Sequence, residues 1–145
     1  MSQYLDVTDL DVYHKLCELH LEVCRISRAW PREERFELTA QARRSSNAGP
    51  ANLAERKSDR HLRNKIEGAN RARGETEETI HHLRIAFLKG YLSQEVLDTL
   101  ETKYHECVRM LNGLERSLEQ HLPERERRFP ASGPAREKVA REPEH

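Results

Sequence analysis

Between Leu97 and Leu118 the apolar residues recur in steps of three and four: Leu97, Leu100, Tyr104, Cys107, Leu111, Leu114 and Leu118. That spacing returns each side chain to one face of an α-helix and leaves the positions between to solvent. The same step runs through Val12, Leu16, Leu19, Val23, Ile26 and Trp30. It appears again through Leu62, Ile66, Ala69, Arg73, Thr76, Ile80, Leu83 and Phe87, here with a polar middle at Arg73 and Thr76. A one-sided helix is stable only when its apolar stripe is covered. Three such helices in 145 residues therefore predict an all-α domain with a shared core.

The first helix carries a second strip beside its seam, formed by Leu10, Tyr13, Cys17, Leu21 and Cys24. A stripe this wide predicts burial on two sides, in a bundle or at a subunit contact. Between the first and third segments lies a weaker one. Pro31 can open a helix, with Glu33 and Glu34 favourable in its first turn. Phe36, Leu38, Thr39, Ala42, Ser45 and Ser46 follow, and Asn47-Ala48-Gly49-Pro50 is expected to break that helix. Asn52 and Glu55 are placed to bond backbone groups freed at the break, and the small residues at 45–51 would admit another backbone closely. Thr8, Ser58 or Asp59, and Ser93 are candidate N-caps, and Gly90 is a candidate helix stop. Four helices with short connections predict an up-down antiparallel four-helix bundle with a proline-broken second helix over residues 1–122. Pro123, Pro130, Pro134 and Pro143 punctuate a charged stretch, so 123–145 is expected to be a disordered tail.

Charge narrows the functional classes. There are 25 basic and 25 acidic residues, so no global field draws the chain to nucleic acid. Locally the balance shifts: Arg56, Lys57, Arg60, Arg63, Lys65, Arg71 and Arg73 face only Asp59 and Glu67, and Arg43 and Arg44 precede them. Arginine forks match phosphate oxygens, and clustered cations gain from counterion release. Arg43, Arg44, Arg56, Lys57, Arg60, Arg63, Arg71 and Arg73 are thus the candidate nucleic-acid-binding set. The plainer reading is a solvated face paired with Glu and Asp, with Arg43 and Arg44 equally able to support an oligomer interface. No apolar run approaches the roughly 20 residues of a membrane span, and the N-terminus lacks a signal-peptide pattern. Cys17, Cys24 and Cys107 sit at apolar helical positions without a CxxC pair, as expected of reduced core thiols in a cytoplasmic protein.

Two further constellations have chemical content. Glu78-x-x-His81 is half of a carboxylate di-metal pattern. Its counterpart, Glu101 to His105, has the wrong separation, and Glu18 or Glu22 would have to face inward, so no metal or other cofactor is expected. Arg116 and His121, near a helix end, resemble in residue type and spacing the active pair of HEPN-family helical ribonucleases, and Arg56 with His61 shares that spacing. There the histidine could move a proton and the arginine could stabilise phosphate, but helix-end solvation is the simpler account. The chain has no glycine-rich phosphate loop or nucleophile elbow, which favours a non-enzymatic role.

The segment Trp30-Pro31-x-Glu33-Glu34-x-Phe36-x-Leu38-Thr39-x-Gln41-x-Arg43-Arg44, followed by Pro50-x-Asn52-Leu53-Ala54-Glu55, resembles the four-helix-bundle family of 23S ribosomal RNA intervening-sequence proteins. Asp9-Leu10-x-Val12-Tyr13 looks like that family's opening signature. Leu83-x-Ile85-Ala86-x-x-x-Gly90-Tyr91-Leu92 and Met110-Leu111-Asn112-Gly113-Leu114 look like its third-helix turn and last helix. Arg56 stands where the family usually has glycine. The resemblance implies a four-helix bundle assembled as a ring, a homopentamer. Structural relatives include accessory proteins of diversity-generating retroelements, which bind nucleic acid and a reverse transcriptase. By analogy this implies a nucleic-acid-binding or ribonucleoprotein scaffold with RNA or DNA, its own copies and such a protein as partners. The alternative is a purely structural, protein-interaction bundle.

Overall fold

The computed structural model describes residues 10–55 and 61–127. Its helices are α1 (Asp11–Ser27), α2 (Leu38–Glu55), α3 (Leu62–Leu88) and α4 (Gln94–Glu119), with single 3₁₀ turns at Arg32–Glu34 and Glu124–Glu126. No strand occurs among the described residues. Each helix packs on the next in sequence, and α4 returns to α1. The cross-helix contacts fix the directions. His20 meets Ser46 while Ser27 meets Arg43, Gly49 lies by Ala72 and Thr76 while Ser45 meets Thr79, and Arg73 meets Glu115 while Arg84 meets Glu101. In every pair one number rises as the other falls, so successive helices run antiparallel, up and down, as the short connections predict.

The predicted seams form the core. Leu16 and Val23 of α1, Leu83 of α3, and Tyr104, Cys107 and Leu111 of α4 are essentially inaccessible. The extra strip of α1 is only half covered: Tyr13, Cys17 and Cys24 are intermediate and Leu21 is exposed.

The α2–α3 contact is the most extensive, and small residues make it so. Ala42, Ser45 and Gly49 of α2 face Ala69, Ala72, Thr76 and Thr79 of α3, all buried. Two fully buried hydroxyls meet across it, Ser45 Oγ and Thr79 Oγ1, at 2.7 Å. Thr79 Oγ1 also donates to the Glu75 carbonyl at 2.9 Å, and Thr76 Oγ1 to that of Ala72 at 2.8 Å. The polar middle of the third seam is thus a close-packed, hydrogen-bonded surface rather than a gap in the core.

α2 differs from the sequence expectation in two ways. Pro31 opens only a 3₁₀ turn, and the α-helix starts at Leu38, leaving Phe36 82% exposed beneath the Arg35 guanidinium. Pro50 does not break the helix, which runs on to Glu55. An interior proline withholds a donor from the carbonyl four residues back and crowds it. Here Pro50 is itself buried, between Gly49 and Leu53 on the packed face, and tertiary contact outweighs the local preference. Asn52 Nδ2 donates to the Ala48 carbonyl at 2.8 Å, not to the Ser46 carbonyl that Pro50 leaves without its usual donor.

Gly90 and Ser93 behave as expected. Gly90 adopts φ 83°, open to glycine without strain. Its N–H bonds to the Phe87 carbonyl and that of Tyr91 to the Ala86 carbonyl, both at 2.9 Å, which closes α3 in a Schellman motif. Ser93 Oγ accepts from Val96 N–H at 3.2 Å and caps α4. The other expected caps, Thr8 and Ser58 or Asp59, lie outside the described residues, and His61 precedes α3 without a side-chain cap. Of the expected tail, 123–127 form a turn whose Arg127 guanidinium donates to the carbonyls of Leu122 and Gln120, at 3.0 and 2.9 Å. Residues 128–145 lie outside the described residues.

Candidate nucleic-acid interface

The eight candidate cations divide by what holds them. Arg43, on the inner flank of α2, donates through Nε to Ser27 Oγ at 2.8 Å and through a terminal nitrogen to the Cys24 carbonyl at 3.3 Å. Both acceptors lie in the last turns of α1, where carbonyls have no helical donor, so Arg43 fastens α2 to that end. Arg73 is more deeply committed. Its Nε reaches the buried Glu115 carboxylate of α4 at 3.1 Å, and its other nitrogens reach Asn70 at 2.6 Å and Glu77 at 3.4 Å. Glu115 is almost wholly excluded from water, and a charge so placed needs a partner.

Arg44, Arg63 and Arg71 are held differently. Arg44 bridges to Glu75 at 3.3 Å and to Glu78, both on α3. These carboxylates hold its guanidinium more firmly protonated than usual, Glu75 contributing most. Arg63 pairs with Glu126 of the final turn, and Arg71 with Glu67 one helical turn back at 2.8 Å. Their side chains stay 55%, 67% and 58% exposed, respectively. Arg56, Lys57 and Arg60 fall in the α2–α3 connection, outside the described residues. Every described arginine of the set thus has a partner: a glutamate for Arg44, Arg63, Arg71 and Arg73, and a hydroxyl and a carbonyl for Arg43.

The other sequence candidates do not converge. His81 is exposed, while its neighbour His82 is buried and lies 3.7 Å from Glu78. Burial, with smaller contributions from His81 and Arg44, outweighs Glu78 and pushes the His82 imidazole below its ordinary pKa. Glu101 is taken by Arg84. Glu18 and Glu22 line a surface groove of about 340 Å³ between α1 and α4 with Lys15, Lys103 and Glu106. No group of three or more His, Cys, Asp or Glu side chains placed for a metal ion occurs among the described residues. Arg116 and His121 are both exposed, one on the last turn of α4 and the other just past its end.

Sequence reasoning did not single out one cluster that the fold builds at the opposite end. The buried Glu34 carboxylate accepts from Lys89 Nζ at 2.6 Å and from Tyr91 OH at 2.7 Å. The Tyr91 ring rests against Trp30, centroids 6.3 Å apart. The α1–α2 corner is thereby clasped to the α3–α4 turn. The bonds from Lys89 and Tyr91 draw the Glu34 carboxyl below its ordinary range. In the sequence Glu34 reads only as an acidic first-turn residue, and its partners lie 55 and 57 positions away.

No helix among the described residues is long and apolar enough to cross a membrane. Comparison with curated proteins finds no match. The first three helices, most of α4, the small-residue α2–α3 contact and the clasped corner fall within residues 8–113, which match the family model of the 23S rRNA-intervening sequence protein. With well over half its length matched, the chain belongs to that family of 23S rRNA-intervening sequence proteins.

Proposed function

We propose that this protein is a non-enzymatic, cytoplasmic, oligomeric helical scaffold that engages RNA or DNA through the cations around the α2–α3 connection. The supporting observation is the contrast among the arginines. Arg43 and Arg73 hold helices together and belong to the scaffold. Arg44, Arg63 and Arg71 keep more than half of each side chain in solvent and pair with glutamates that are themselves partly exposed. Exposed pairs of that kind contribute about 0–1 kcal/mol each, so a phosphate that brings counterion release can displace them. Arg56, Lys57 and Arg60 extend the same charge in sequence. Exposed Leu21, Phe36 and Leu88 offer apolar area for contact between copies, in keeping with the ring-shaped homopentamer that the resemblance implies. A protein partner of the reverse-transcriptase kind fits by the same analogy.

Charge reversal of Arg60 and Arg63 to glutamate tests this reading on structured RNA and duplex DNA across a salt series. Weaker binding and a shallower salt slope are expected, with the oligomer unchanged in sedimentation. Binding that keeps both its strength and its slope would remove the proposal. The pairing of every described arginine of the set favours a second reading, a protein-interaction bundle without nucleic-acid affinity. Under it the purified oligomer shows no salt-dependent binding. RNA turnover lost in His121→Ala would instead overturn both in favour of a nuclease.

A further inference from the structure

The turn after α4 reaches back to the cations at the start of α3. Pro123 opens a single 3₁₀ turn over Glu124–Glu126. It is closed by the Glu126 N–H on the Pro123 carbonyl at 2.9 Å and the Arg127 N–H on the Glu124 carbonyl at 3.2 Å. Two side chains fasten it to the bundle. The Arg127 guanidinium donates through Nε to the Leu122 carbonyl at 3.0 Å and through a terminal nitrogen to the Gln120 carbonyl at 2.9 Å. Both acceptors lie just past the end of α4, where carbonyls have no intrahelical donor. The Glu126 carboxylate pairs with Arg63, in the first turn of α3. No residue of 123–127 is buried. The turn is thus held by surface contacts alone and can leave without opening the core.

Arg63 differs in this from the other exposed arginines of the interface. Arg44 pairs with Glu75 and Glu78, and Arg71 with Glu67, all of them carried by α3 itself. The partner of Arg63 comes instead from outside the four helices. A carboxylate on an arginine fork takes the place that phosphate oxygens would take. Glu126 is half-buried against the bundle while Arg63 stays mostly in water, so a phosphate can approach from the solvent side and displace it. Arg63 also stands three positions after Arg60, the other cation on which the nucleic-acid reading is tested.

We propose that the Pro123–Arg127 turn is a detachable acidic strap in which Glu126 competes with nucleic-acid phosphate for Arg63. The proposal rests on the nucleic-acid reading above and supplies its regulation. Strap and phosphate exclude each other on one guanidinium, so each weakens the hold of the other by the same factor. An exposed pair of this kind is weak, which makes the strap a mild brake. Its release strengthens binding about two- to fivefold at low salt. The gain fades as salt screens the pair.

The test is binding of structured RNA by the full-length protein across a salt series, with helicity by circular dichroism as the folding control. Glu126→Gln removes the competing charge and should tighten binding about two- to fivefold. Arg127→Ala removes the anchor and should also tighten it, although the loss of a cation by itself would weaken binding. Glu124→Gln makes the same charge change as Glu126→Gln on the same turn, but Glu124 is not the partner of Arg63, so its effect should be clearly smaller. On an Arg63→Gln background Glu126→Gln should gain no more than Glu124→Gln does. Binding that Glu126→Gln strengthens no more than Glu124→Gln, or that Arg127→Ala weakens, would overturn the strap and leave the nucleic-acid reading standing. A Glu126→Gln gain that survives the loss of Arg63 would do the same. No binding by the wild-type protein or any variant would overturn both.

Discussion

The Ser45–Thr79 pair offers a sharp test of what holds α2 against α3. Both residues are wholly excluded from water, and their hydroxyl oxygens lie 2.7 Å apart. Thr79→Val keeps the shape but removes the bond to Ser45 and the one to the Glu75 carbonyl. Ser45 Oγ is then left with the Ala42 carbonyl at 3.3 Å, a long bond. A buried polar group so stranded costs about 1–3 kcal/mol, and we expect a loss of about 2 kcal/mol. Ser45→Ala strands less, because Thr79 Oγ1 still donates to Glu75 at 2.9 Å; about 1 kcal/mol is expected. Independent effects would sum to about 3 kcal/mol in the double variant. Replacing both partners by apolar groups of similar shape removes the stranded hydroxyl, so the double variant should lose only about 1 kcal/mol. The assay is urea unfolding followed by circular dichroism at fixed protein concentration, because assembly would couple stability to concentration. A double variant as unstable as the sum of the singles would refute the view that these hydroxyls act as one unit.

Gly49→Ala should not raise the melting temperature, because its helix-propensity gain of up to about 1 kcal/mol is offset by the crowding that the Pro50 ring imposes on the Cβ of a helical residue before it. An added Cβ would meet Thr76 Oγ1 at 3.5 Å, ordinary contact, whereas Gly49→Leu would force α2 from α3 and lower the melting temperature. Arg73→Met should cost about 3 kcal/mol in urea unfolding, because it strips the buried Glu115 of an arginine partner. Arg71→Met, which loses only an exposed pair, should change stability by less than about 0.5 kcal/mol. The Glu34 clasp should show in the pH dependence of melting. Its carboxyl lies below the ordinary range when folded, so its contribution is complete above the unfolded carboxyl pKa and fades as pH falls through the folded one. Glu34→Gln should flatten that acid limb relative to wild type, and an unchanged limb would discount the clasp.

The sequence by itself determined which faces are buried. The steps of three and four through Leu97–Leu118 and Val12–Trp30 are set by helical geometry, and local chemistry also placed the Gly90 stop and the Ser93 cap. It misjudged Pro50 and Phe36 because local rules weigh a residue's own backbone preference. The tertiary structure decided otherwise: packing on α3 carries α2 through Pro50, and the clasp on Glu34 turns the chain so that Phe36 lies outside. Among the candidate cations the sequence could count charge but not rank it. Arg71 and Arg73 read alike as basic helical residues two positions apart, yet one is a surface pair and the other a partner to buried Glu115. Whether an arginine is available to a phosphate or committed to the fold depends on partners dozens of residues away, and only the meeting of helices brings those within 3–4 Å.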